Sequence, residues 1–218
     1  MKELIDTMRL SLRPFTHADV EEAFGWFGDP EVMRFTPTGP DRNQDQPRER
    51  LKQYRGHQVR RGFSKWLIQE KSSGKAIGDS GLLILEELSP LPDLGFRFAK
   101  PYWQRGFATE VAAAWIRVAF DEFGLDRLTA FAHVDNPASL RVLEKVGFRV
   151  QKREPVMGMD SFTGHGFVHL CARPAGTRDC PWRRARLTSR WSRRRYARES
   201  RRGSARTLAR RKLGRTKS

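Results

Sequence analysis

The chain changes character at Pro174. Residues 174–218 carry 17 Lys and Arg against 2 Asp and Glu, which is +15 of the formal +17 of all 218 residues. Residues 1–173 are left with +2. In "PAGTRDCPWRRARLTSRWSRRRYARESRRGSARTLARRKLGRTKS" arginine far outnumbers lysine, and tryptophans and other apolar residues are scattered without a period. Such a segment buries too little apolar surface to offset the entropy of ordering a backbone, so a disordered basic C-terminal tail is expected. Whatever folds must be built from the residues before it. Their number suits one substantial domain rather than two.

Nothing in that body reads as a membrane or secretory element. No apolar run approaches the roughly 18 residues that a spanning helix needs. The opening "MKELIDTMRL" is charged and short of apolar residues, unlike a signal peptide. Cys171 and Cys180 do not make a disulfide framework, and no Cys/His cluster has metal-ligand spacing. The expectation is a cytoplasmic protein with no structural metal and no membrane partner.

The body alternates strand-like and helix-like runs. "MRLSLRPF" (8–15) alternates apolar and polar residues, as a half-buried strand does. "THADVEEAFGWF" follows as a helix, with Thr16 or Asp19 at its cap. "DPEVMRFTP" reads as the end of that helical region and then a loop. "QPRERLKQYRGHQVRRG" is polar and helix-prone. "FSKWLIQEK" and "AIGDSGLLILEEL" are strand-like runs around the turn "SSGK". "DLGFRFA" and "RLTAFAHV" read as further strands on either side of another helix, "NPASLRVLEKVGF" as a helix and "FVHLCARP" as the last strand.

The helix between "DLGFRFA" and "RLTAFAHV" starts in "YWQRGFATEV" (102–111). Phe107, Val111, Trp115, Val118 and Ala119 fall on one face, with Glu110, Ala113, Ala114, Arg117 and Asp121 on another. The helix should begin near Gly106, directly after a strand and a turn. Helix N-termini present unpaired N–H groups and partial positive charge, and glycine lets a phosphate approach. The glycines match neither a Walker loop nor a dinucleotide fingerprint. Taken alone, the segment is equally an ordinary strand–turn–helix junction. In "HVDNPASLRVLEKVGF", Asn136 at the N-cap, Pro137 at the first helical position and Gly147 past the end punctuate a helix with Leu140, Leu143 and Val146 inward. Capping alone would account for Asn136, and solvation in the first turn for Ser139.

Together, "MRLSLRPF", "DPEVMRF", "GDSGLL", "LGFRFAKPYWQRGFATEV" and "DNPASLRVLEKVGF" resemble the GNAT superfamily of N-acetyltransferases, and within it the RimJ/RimL-like branch that acetylates ribosomal-protein N-termini. The resemblance spans residues 8–173 as one domain and stops at the tail, 174–218. It implies an α/β (α+β) fold with a central mixed, mostly antiparallel sheet, flanked by helices, whose splayed strands hold acetyl-CoA. Backbone groups of Phe96, Arg97 and Phe98 would bond the pantetheine arm, as an added strand does. The loop of Gln104, Arg105, Gly106, Phe107, Ala108 and Thr109 would cradle the pyrophosphate. The superfamily pattern Gln/Arg-x-x-Gly-x-Gly/Ala reads here Trp103-Gln104-Arg105-Gly106-Phe107-Ala108. Trp at its first position departs from the general pattern and is familiar in the RimJ/RimL-like branch.

The implied reaction is attack of a primary amine on a thioester. It needs a neutral amine, a polarised carbonyl and a stabilised or protonated thiolate. Many superfamily members use a tyrosine as the acid, but none lies between Tyr102 and Tyr196. The branch places a serine in Asn-x-x-Ser, which maps to Ser139 as catalytic donor, with Asn136 on the pantetheine. For the base, Asp93, Glu86, Glu87, His133, Asp160, His165 and His169 are candidates by type and none is assigned; a water chain would also serve. The acceptor is a protein N-terminus or a small-molecule amine, and the protein a monomer or homodimer. Two other classes stay open: a non-catalytic acetyl-CoA-binding protein, and a nucleic-acid or ribosome-binding factor acting through 174–218. The tail itself is either such an arm or a shifted-frame translation of GC-rich coding DNA, the second being favoured by its lack of pattern.

Overall fold

In a computed structural model of the chain, residues 4–85, 89–154 and 167–172 are described. The tail, the domain boundary at residue 173, and Glu86, Glu87, Asp160 and His165 lie outside them. The strands are β1 (Ile5–Asp6), β2 (Leu10–Pro14), β3 (Lys65–Glu70), β4 (Ala76–Ile84), β5 (Pro92–Phe98), β6 (Leu128–His133), β7 (Arg149–Glu154) and β8 (Phe167–Ala172). They form one sheet in the order β1-β2-β3-β4-β5-β6-β8-β7. Every described pairing is antiparallel except β5 with β6. The helices are α1 (Val20–Phe27), α2 (Pro30–Met33), α3 (Asp45–Arg61), α4 (Phe107–Arg117) and α5 (Pro137–Lys145). This is the expected mixed α/β sheet with flanking helices. No helix among the described residues is long and apolar enough to cross a membrane.

Strand alternation sends side chains to two cores. On one face, Leu10, Leu12, Trp66, Ile68, Leu94 and Phe98 pack with Phe107, Val111 and Trp115 of α4 and Leu143 of α5. Trp66 and Trp115 meet edge to face at 5.2 Å. On the other, Phe15 and Leu67 pack with Ala23, Trp26 and Phe27 of α1, Met33 of α2, and Leu51 and Tyr54 of α3. The helix ends follow the sequence signals. The Asp19 carboxylate accepts from Thr16 N–H (2.6 Å) and Thr16 Oγ1 (2.9 Å) at the entry to α1. Asn136 Oδ1 accepts from Ser139 N–H at 3.1 Å, with Pro137 as the first residue of α5. Gly147 follows α5 with φ +97°.

Three features depart from the sequence expectation. α2 is a separate turn of helix, because Asp29 caps it with bonds to the N–H groups of Glu31 and Val32. Ala114, expected on a different face from the apolar stripe of α4, is 5% exposed, since α4 is covered by the sheet on one side and by α5 on another. β1 and β7 were not foreseen. β1 has two residues, and β7 is an outer strand of the sequence "RVQKRE", a charged composition without the strand period.

Gly81 of β4 has φ +153°, and a Cβ there would lie 2.0 Å from Ser64 O and 2.8 Å from Lys65 Cα. Both are backbone atoms of the adjacent strand segment, so no side-chain rotation relieves the overlap. Gly81→Ala is expected to destabilise the fold by about 3 kcal/mol or more. Urea unfolding followed by tryptophan fluorescence measures it; a loss below about 1 kcal/mol would mean that β3 and β4 part freely here.

Candidate active site

The site is organised by the edge of β5 that faces β6. These strands share a single register pair, Asp93 with Thr129, and then diverge. Side chains close the vertex. Thr129 Oγ1 donates to Pro92 O at 3.2 Å, and the Asp93 carboxylate accepts the Phe131 N–H at 3.1 Å. Beyond that point β5 pairs only with β4. Leu82 N–H bonds Ser64 O, so the alternation of antiparallel pairs turns the backbone groups of Leu94, Phe96 and Phe98 away from β4, into the gap. The same alternation turns the backbone of Arg97 toward β4. Its guanidinium is spent on both Asp79 oxygens (3.0 Å each) and on Tyr54 Oη (2.9 Å). Phe98 O accepts from Trp103 Nε1 at 2.7 Å.

The gap leads into the loop before α4. Gln104 has φ +59° and Gly106 φ +78°, two left-handed residues in a three-residue span. For glutamine that conformation is strained and is kept only where the surroundings impose it. Left-handed residues interleaved in this way form a concave nest of N–H groups that suits an anion. Among the described residues no hydrogen bond takes the N–H of Gln104, Arg105, Gly106 or Phe107. The N–H groups of Ala108 and Thr109, in the first turn of α4, have no partner one turn earlier. Trp103 to Gly106 are exposed and Phe107 is buried, so the loop is open outward and anchored inward.

Residues remote in sequence hold this loop. Arg9, just before β2, donates from Nη1 to Arg105 O (2.9 Å) and from Nε to Glu110 (2.8 Å), and lies 4.5 Å from the Phe107 ring centroid. Glu110 also accepts from Thr7 Oγ1 (2.6 Å) and Arg9 N–H (2.8 Å). Burial pushes the Glu110 carboxyl up, but the bonds from Thr7 and Arg9 outweigh it and hold the group below the usual carboxylate range. Arg105 pairs with Glu70 at 2.8 Å and lies over the rings of Tyr102 and Phe107. Sequence reasoning found Arg105 but not Arg9, whose partners are about a hundred residues away.

Ser139 stands in the first turn of α5, which packs against α4. Its N–H is taken by Asn136 Oδ1, and its Oγ has no partner among the described residues. On the opposite face of the sheet, Asp93 and Lys65 are 8% and 6% exposed. Burial pushes Asp93 up to about 7, while the Lys65 charge and the Phe131 N–H pull the other way. Burial likewise pushes Lys65 down to about 8 against the charges of Asp79 and Asp93, with Arg97 adding to the fall. His133, at the far end of β6, accepts the Asp135 N–H at 3.1 Å and packs against Phe35.

Comparison with known proteins settles the family. Residues 9–149 match the model of the acetyltransferase (GNAT) domain. The chain belongs to the GNAT acetyltransferases. It is 30% identical over 150 residues to an uncharacterised N-acetyltransferase of Bacillus subtilis, YoaA, covering 68% of this chain and 84% of that one. A second uncharacterised B. subtilis protein, YkkB, is 30% identical over 153 residues, covering 69% and 88%. A GNAT-family acetyltransferase structure from Bacillus anthracis superposes with a TM-score of 0.67 at 22% identity, over 78% of this chain and 98% of that one. A spermidine N-acetyltransferase of Vibrio cholerae, solved with CoA and spermine, shares the fold at a TM-score of 0.63 and 15% identity, over 76% and 95%. This GNAT chain is therefore an acetyl-CoA-dependent acetyltransferase. Its open β5 edge and its nest of free N–H groups are compatible with an extended amide arm that ends in phosphates.

If Arg9 shapes the loop, Arg9→Met should raise the KM for acetyl-CoA about tenfold and leave kcat near its original value. Steady-state kinetics with acetyl-CoA varied checks this; an unchanged KM would leave the loop self-supporting.

Proposed function

We propose that this enzyme transfers the acetyl group of acetyl-CoA directly to a primary amine in a ternary complex, within the domain spanning residues 8–173. The observation that carries the reading is the continuity of two features: the β5 edge left open after one ladder pair, and the left-handed nest it runs into. Leu94, Phe96 and Phe98 would bind the pantetheine as a strand, and Gln104 to Thr109 the pyrophosphate. Arg97 would contribute by fixing β5 against β4 through Asp79. Acetyl-CoA supplies the activated acyl group as a thioester. Gly106→Val tests the cradle: the branched side chain is strained at φ +78° and crowds the phosphates, so CoA affinity by calorimetry should fall at least tenfold. Unchanged affinity in a folded variant would remove this loop from the site.

The residues supply the three chemical needs. N–H groups on the open edge of β5 would polarise the acetyl carbonyl. Ser139 Oγ, without a bond among the described residues, would donate to the departing sulfur, while Asn136 holds the first turn of α5 in place. Asp93 would take the proton of the incoming ammonium, directly or through a water. It stands at the vertex of the gap, with one oxygen on Phe131 N–H and no described donor bonded to the other. Its upward shift to about 7 suits a base working near neutrality. The Asn136-x-x-Ser139 spacing and Trp103 favour the RimJ/RimL-like branch, and with it a protein N-terminus as acceptor; a small-molecule amine is the second reading.

Release of CoA thiol from the full chain, screened over N-terminal peptides and small amines, tests acceptor and activity together. Against the best acceptor, Ser139→Ala should lower kcat about tenfold or more with little change in acetyl-CoA affinity. Asp93→Asn should abolish the acid limb of the kcat/KM profile, because the group that must lose a proton before attack is gone. A full-rate Ser139→Ala enzyme would leave the thiolate to water, and an intact acid limb in Asp93→Asn would place the base elsewhere.

A further inference from the structure

Lys65 is a buried lysine for which the reaction as described has no use, and two glycines make room for it. In the register of the sheet, Lys65 of β3 stands opposite Gly81 of β4, and Gly81 opposite Gly95 of β5. The next row holds Leu67, Asp79 and Arg97, and the row on the other side brings Asp93. The Lys65 side chain therefore lies over a strand position without a side chain and ends above another. A Cβ on Gly95 would be 2.2 Å from Lys65 Nζ, 3.5 Å from Cε and 4.0 Å from Asp93 Oδ2. The ammonium and the vertex carboxylate share the space above Gly95.

Other titratable groups of these strands and of α3 have partners of their own. Asp79 gives both oxygens to Arg97 and accepts from Trp26 Nε1 at 3.1 Å. Tyr54 of α3 accepts from Arg97. Arg50 of α3 pairs with Asp41 at 2.6 Å. His57 of α3 places Nε2 on the Ile84 N–H (3.1 Å) and Nδ1 on Phe63 O (2.7 Å). His133, at the far end of β6, bonds Asp135 N–H. Two opposite charges above one glycine, shielded from bulk water, interact far more strongly than an exposed pair.

We propose that Lys65 is a positioning residue for the reaction: its ammonium, carried across Gly81 and Gly95, keeps Asp93 ionised and so sets the lowest pH at which the enzyme accepts a proton from its substrate. The role rests on the reading of Asp93 as the base. Lys65 acts on the substrate through Asp93, being nearly inaccessible itself. The glycine at position 95 serves Lys65 as well as the strand, because any side chain there displaces the ammonium. The sign follows from charge. Removing the cation makes the carboxylate harder to ionise, so Asp93 would hold its proton to higher pH and the acid limb would move upward.

The test uses full-length protein labelled with 13C at aspartate carboxyls, Asp93 being assigned by its loss in Asp93→Asn. Lys65→Met is expected to raise the Asp93 titration midpoint by about one pH unit or more. The acid limb of kcat/KM should move with it, giving roughly tenfold lower kcat/KM below the limb and convergence with the parent at high pH. Gly95→Ala keeps the net charge but pushes the ammonium aside, and should move the midpoint in the same direction by less. It also covers the case in which Lys65→Met does not fold. An unchanged Asp93 midpoint in the folded variants overturns the proposal. A midpoint that moves while the acid limb stays overturns Asp93 as the base, and the catalytic role of Lys65 with it.

Discussion

A single ladder pair, Asp93 with Thr129, governs the rest of this molecule. Two strands that continued in register would make a closed sheet with no edge to offer. Two strands that never met would leave the sheet as two pieces, each with a raw edge. One pair, with Asp93 and Thr129 turned into cross-strand bonds of their own, joins the halves and leaves β5 half-paired. The open part of β5 points toward α4, whose first turn presents its N–H groups where the gap ends. Phe107, Val111 and Trp115 fix α4 against the sheet, so core packing determines where the open edge leads.

The sheet reaches this arrangement by omitting side chains at chosen places. Gly78 and Gly81 of β4 have φ of +159° and +153°, and a Cβ on either would lie about 2 Å from a backbone oxygen of the adjacent strand. These positions let β3, β4 and β5 lie close together where polar side chains must cross between rows. Arg97 reaches back to Asp79, and Lys65 reaches forward toward Asp93. The face toward α1 and α3 thereby carries Lys65, Asp79, Asp93 and Arg97 side by side in adjacent rows. Buried charges are tolerated where each has a counter-charge or hydrogen bonds close by, and these rows provide that.

Much of this was legible from residue patterns. α4 and α5 announced themselves through period and caps, and Gly106 through the change from strand to helix. The superfamily followed from those segments in order. What stayed hidden has physical causes. β7 has the composition of an exposed edge, and charges erase the alternation that marks a strand. Arg9 meets its partners, and Lys65 its neighbours, at sequence separations that no local pattern encodes. Gln104 looks like any loop residue, and its left-handed backbone is imposed by the anchoring of Trp103 and Phe107 on either side. The base proposed here could not be chosen among the candidates in the sequence, because what sets Asp93 apart is its place at the vertex.

The tether from Arg9 to Arg105 and Glu110 has a consequence for how the protein comes into being. Its bonds join positions about a hundred residues apart, and β2 can pair with β3 only once the fifty residues between them have been gathered. Contacts of such separation form late, because chain entropy opposes them until intervening structure is in place. The cradle is thus among the last parts of the molecule to acquire its shape. A partly folded chain, or one stalled during synthesis, would lack the anion site proposed for this loop even with α4 formed. Ligand capture is thereby confined to molecules that have finished folding, and it adds its binding free energy to that state alone.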